Sequence, residues 1–163
     1  MKRRAFIAGL SGATAWPLVA RAQQSNQARR IGVLQGFAES DPEAQAEITA
    51  FRRALQSLGW TGERNVRIAY RWCAGDLERM RTFAKELVAL QPDVILATTT
   101  PAVAALLRET RTVPIVFARV ALPVEEGFVP NLARPGGNVT GFAFFEPSLV
   151  TKWLELLKEI APP

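Results

Sequence analysis

Short apolar runs alternate along this chain with segments whose apolar residues recur every three or four positions, and the gaps between them are only a few residues long. That alternation restricts the fold more than any other feature. "RRIGVLQG" (29–36), "DVILAT" (93–98) and "VPIVFA" (113–118) are nearly continuous apolar runs bounded by Gly or Pro, as expected of strands buried on both faces. "NVRIAYRW" (65–72) sets Val66, Ile68, Tyr70 and Trp72 against Arg67, Ala69 and Arg71, a strand with one wet side near a sheet edge. Between them lie helical patterns. In "ESDPEAQAEITAFRRALQSLGW", Ser40 stands three residues before Glu43 as a start signal, Pro42 sits near the first turn, and Ile48, Phe51, Leu55 and Leu58 form a stripe that Gly59 ends. "GDLERMRTFAKELVALQPD" places Leu77, Met80, Ala84, Leu87 and Val88 on one face, and "TPAVAALLRET" follows the third strand directly. After a Pro-Gly-Gly turn at Pro135 to Gly137, a fifth strand is expected over Asn138 to Phe142; a last helix then carries Leu149, Trp153, Leu156, Leu157 and Ile160. Strands joined through helices over short loops imply a parallel sheet covered on both faces, since right-handed crossovers allow little else. The expected fold is a doubly wound, Rossmann-like α/β layer with strand order 2-1-3-4-5.

With 163 residues, 48% of them hydrophobic, the chain holds one globular domain. Its positive balance is misleading. "MKRRAFIAGLSGATAWPLVARA" (1–22) has a basic start, an apolar centre and the small-x-small end Ala20-Arg21-Ala22, the pattern of an export signal, with Arg3-Arg4 leaving the twin-arginine and general secretory routes both open. Without its four charges the counts fall from 20 basic against 15 acidic to 16 against 15. A nearly neutral domain with scattered arginines has no electrostatic footprint for nucleic acid, and after signal removal no segment is suited to direct membrane insertion. A polar lead (23–29) and an α/β unit (30–163) remain. Cys73 is the single cysteine, so no internal disulfide is available, and the absence of histidine removes the common triads and zinc sets. Neither a catalytic residue, nor a metal site, nor a cofactor is expected.

In a doubly wound sheet, ligands sit beyond the carboxyl ends of the strands where the strand order reverses. That point falls on Gln35, Gly36 and Phe37 after the first strand and on Thr98, Thr99 and Thr100 after the third. Thr100 reads as an N-cap and Pro101 as the first helical residue, so the amides near Ala102 face the cleft and suit a carboxylate or other anion. Capping alone would also account for the threonines. Arg119, after the fourth strand, reads as a residue facing the ligand or, more simply, as a solvated loop arginine, Asp41 with Glu43 and Glu125-Glu126 as solvated carboxylates, and Phe37, Phe142, Phe144 and Phe145 as pocket, core or interface aromatics.

The runs "RRIGVLQGFAESDPEAQAEITAFRRALQSLGWTGERNVRIAYRW", "LVALQPDVILATTTPAVAALLRETRTVPIVF", "ARPGGNVTGF" and "KWLELLKEIAP" resemble, in order and spacing, the ABC-transporter substrate-binding proteins of the TrpX-like family. The resemblance implies a type I periplasmic binding protein: two such lobes close on a small-molecule ligand, in some relatives an aromatic amino acid, and the closed form docks on an ABC permease at the inner membrane. It places the chain in the periplasm. Relatives usually carry Asp-Pro where this chain has Leu122-Pro123, which removes a carboxylate from the ligand side. They are also about twice as long, the size of two domains, so the chain corresponds to an amino-terminal lobe ending in a crossover helix, with the second lobe absent. A truncated remnant, a lobe that pairs with a separate chain and a small exported α/β enzyme are the alternatives.

Overall fold

The computed structural model describes residues 28–62, 64–144 and 148–160. The expected leader and most of the polar lead, together with Phe145, lie outside the described residues. The elements alternate as read: β1 (Arg29–Gln35), α1 (Pro42–Ser57), β2 (Val66–Trp72), α2 (Leu77–Ala89), β3 (Val94–Thr98), α3 (Thr100–Glu109), β4 (Ile115–Val120), β5 (Val139–Ala143) and α4 (Ser148–Ile160). All five strands are parallel, in the order β2-β1-β3-β4-β5. Because β1 to β2 runs one way across the sheet and the next two crossovers run the other, right-handed connections put α1 on one face and α2 and α3 on the opposite face. The doubly wound sheet follows.

The main core fills the space between the sheet and α2/α3. Leu34, Leu87, Ile95, Leu106, Ile115 and Phe117 are fully buried there, and removing any one of these large side chains leaves a cavity in a close-packed layer. Under α1, only Ala44 and Ile48 of the helix are buried; Phe51 and Leu55 are half-buried and Leu58 is exposed, so the expected stripe reaches the sheet over its first half alone. On α2, Met80, Ala84 and Leu87 are buried as expected, whereas Leu77 is 55% exposed at the sheet's carboxyl edge. On α4, Trp153, Leu154, Leu156, Leu157 and Ile160 are each more than half exposed.

The start signal of α1 falls one residue away from its expected position. Asp41, not Ser40, caps α1, its carboxylate accepting from the Ala44 amide at 2.9 Å. Proline occupies the first helical position, so the residue directly before it must supply the cap. Asp41 is therefore structural, not merely solvated.

Asp93 ties the start of β3 to the start of β1. Its carboxylate accepts from the Arg29 guanidinium and from the Arg30 amide, both at 2.8 Å. The Arg30 amide bond, then the Arg29 bond, hold its pKa below the ordinary value. A carboxylate with a lowered folded-state pKa stabilises the fold above its unfolded pKa, and that contribution disappears as pH falls through the folded value. Asp93→Asn should therefore lower Tm at neutral pH and flatten the fall of Tm below about pH 4. Thermal melts from pH 7 to pH 2 that run parallel for the two proteins would contradict this.

Candidate functional site

The carboxyl ends of β1 and β3 are adjacent, with Gln35 paired to Thr98 across the ladder. Both side chains turn inward: Gln35 is fully buried and Thr98 is 4% exposed. The Thr98 hydroxyl accepts from the Gly36 amide at 3.1 Å and donates to Gln35 Oε1. This fastens the β1–α1 loop to the end of β3. Gly36 is required by packing, since a Cβ there would lie 2.5 Å from Thr99 Oγ1 and 3.0 Å from the Thr98 carbonyl oxygen. Gln35 Nε2 and Thr99 Oγ1 are buried without a hydrogen-bond partner among the described residues, an unfavourable state that a polar ligand or water at the site would relieve.

The helix start differs from expectation. Thr99, at φ +90, is the N-cap of α3, and its side chain makes no cap bond; Thr100 is the first helical residue and Pro101 the second. The Val103 amide already bonds back to the Thr99 carbonyl, so the Thr100 and Ala102 amides are those without an intrahelical acceptor. The left-handed φ of a β-branched residue stores strain, a feature that clusters at ligand sites.

An open cavity of about 490 Å³ lies against this corner. Gly36, Phe37 and Ala38 line it from the β1–α1 loop, Ala74 and Gly75 from the β2–α2 loop, Leu77 and Met80 from α2, and Thr99 and Pro101 from the start of α3. The eight residues singled out in the sequence thus divide. Gly36, Phe37, Thr99 and Pro101 line the cavity; Gln35, Thr98 and Ala102 are buried beneath it, and Thr100 is half-buried at the first turn. Leu77, read as a core position, belongs to the rim.

Arg119 overturns its reading as a solvated loop residue. The register of β4 against β5 shifts between Phe117 and Val120, and Arg119 inside that irregularity has φ +57. A bulge of this kind re-aims a side chain. The guanidinium reaches Glu47 at 2.5 Å and Glu43 at 3.3 Å on α1, and lies 4.8 Å from the Phe37 ring centroid and 5.9 Å from that of Phe144. Glu43 is thus an ion-pair partner, while Glu125 and Glu126 remain exposed. Stacking under Phe37 holds that ring at the cleft. Phe142 and Phe144 are 78% and 72% exposed, so neither belongs to the core.

Cys73, at the end of β2 beside the cleft loop, is inaccessible to solvent. Burial pushes its thiol up to about 11, with Arg79 opposing and Asp76 adding to the rise. At pH 8 its alkylation by iodoacetamide should be on the order of 10²-fold slower than that of a free thiol. Reaction of the folded protein at the free-thiol rate would contradict the burial.

The chain thus presents a five-stranded parallel sheet with an open cavity at the point where the strand order reverses. The family pattern of ABC transporter substrate binding proteins matches residues 30–163, and the chain belongs to that family. It is 30% identical over 138 residues to a tyrosine-binding protein of Clostridioides difficile (strain R20291), covering 85% of this chain and 39% of that protein. Among solved structures, a conserved domain protein of Vibrio cholerae superposes with a TM-score of 0.72 at 32% identity, over 83% of this chain and 45% of that one. The ligand-free, open form of a substrate-binding protein with adhesive properties from Clostridium difficile gives 0.70 at 34% identity, over 82% and 44% of the two chains. An ABC domain from Streptococcus pneumonia in complex with L-Trp gives 0.69 at 31% identity, over 81% and 43%. The chain therefore spans less than half the length of these relatives.

Proposed function

We propose that this chain supplies one wall of the binding cleft of an ABC importer's substrate-binding protein, exported to the periplasm, and that its ligand is an amino acid with an apolar or aromatic side chain. The observation that carries the reading is the corner formed by Gly36, Phe37 and Thr99 at the start of α3. The Thr100 and Ala102 amides, at the positive end of the helix dipole, suit the α-carboxylate. Phe37, Leu77 and Met80 offer apolar surface for the side chain. The tyrosine and L-Trp named for two relatives support this class.

A second lobe, as in the longer relatives, completes the site by closing over the ligand, and the closed form delivers it to an inner-membrane ABC permease. One wall alone contributes half the contacts and leaves the ligand solvated, so binding to this chain should be weak, with Kd at or above about 1 mM. Calorimetry with L-tryptophan tests this: micromolar affinity for the chain by itself would show that no closing lobe is needed.

A further inference from the structure

A cavity of about 670 Å³ shares no residue with the cleft and lies between the second half of α1 and the edge strand β2. Its polar groups are Arg52 and Gln56 of α1 and Arg67 and Tyr70 of β2; Leu55, Val66 and Ile68 give it an apolar floor, with Trp60 at its margin. We infer that this cavity is a second ligand site, one that takes a small organic anion, a carboxylate on a planar apolar body.

Three observations converge on that class. Tyr70 lines the cavity, and its Oη is buried with no hydrogen-bond partner among the described residues, an unsatisfied donor that a small side-chain adjustment would turn to a bound acceptor. Whereas Arg29, Arg71, Arg81 and Arg119 each pair with a carboxylate, Arg52 and Arg67 make no ion pair among the described residues, and no acidic side chain among them lines the cavity. Arg52 is close enough to act electrostatically on the Tyr70 phenol, opposing the upward shift that burial causes. A neutral phenol O–H beside a guanidinium is a charge-assisted donor pair for a carboxylate. The apolar floor and the indole of Trp60 then favour a planar body over a bare anion, which would leave that surface uncovered.

The test uses ¹H–¹⁵N spectra of the chain titrated with sodium benzoate, and separately with sodium acetate and benzylammonium chloride. Benzoate should give saturable shifts at the Trp60 indole N–H and the Ile68 to Tyr70 amides, at least about five-fold tighter than acetate, while benzylammonium leaves them unmoved. Tyr70→Phe removes an unpartnered hydroxyl and so preserves the fold, yet should weaken benzoate about five-fold or more, and Arg52→Gln about ten-fold. Melting curves confirm that both variants are folded. The inference is overturned if these signals stay still up to about 20 mM benzoate, if benzylammonium moves them equally, or if both variants bind as the parent does. Shifts confined to Gly36 and Phe37 would also overturn it, since they report the cleft, whose reading stands or falls separately.

Discussion

Gly141→Ala is expected to lower the stability of this domain by about 3 kcal/mol, a fall in Tm of roughly 10 °C. An added Cβ would lie 2.2 Å from the Phe117 carbonyl oxygen and 2.6 Å from its Cγ. The first contact is with backbone, so no rotamer change relieves it, and Phe117 is among the largest fully buried side chains of the main core. Relief requires β5 to move away from β4, breaking the pairing that runs from Ile115–Val139 to Phe117–Gly141. Thr140→Ala, on the exposed neighbour, is the control and should change Tm by only a degree or two. Equal melting of the two variants by circular dichroism would show that β5 carries little of the stability.

Thr98→Val tests the corner beneath the cleft. Valine nearly matches threonine in shape, so packing is preserved while the hydroxyl is lost. The Gly36 amide then loses its acceptor and Gln35 Oε1 its donor, leaving only a contact from the Phe37 amide at 3.5 Å. Two buried polar groups without partners should cost about 2–5 kcal/mol. Pairing the change with Gln35→Leu removes one of those orphans together with the unpartnered Nε2. The double variant should therefore recover part of the loss, a coupling that independent sites do not show. Simple additivity in urea denaturation would mean that the two side chains do not act as a unit.

Much of the architecture was legible because it rests on local pattern. Continuous apolar runs mark β1, β3 and β4 since their residues are covered on both faces, while β2, with arginines at alternate positions, reads correctly as an edge strand. Handedness does the rest, fixing the strand order from connections alone. What escaped depends on contacts between distant segments. Arg119 reads as a loop residue because the irregularity that aims it at Glu43 and Glu47 carries no glycine or other local sign; it arises where β4 and β5 fall out of register. Leu77 sits correctly on a helical stripe, yet that stripe overruns the sheet edge and ends in the cleft. The threonine run pointed to the candidate corner but not to its division of labour: alternation sends Thr98 inward, whereas Thr99 must turn through a left-handed φ to start α3. Ala102, chosen for its amide, has a fully buried side chain, and only its peptide N–H suits a ligand.

The backbone amides at the start of α3 are the centre of the account, and an amide map under L-tryptophan examines them directly. The predicted outcome is weak, concentration-dependent shifts concentrated at Gly36, Phe37, Thr100 and Ala102, abolished when tryptamine, which lacks the carboxylate, replaces the amino acid. Equal shifts with tryptamine, or shifts clustered at the opposite ends of the strands around Arg29 and Val94, would contradict it.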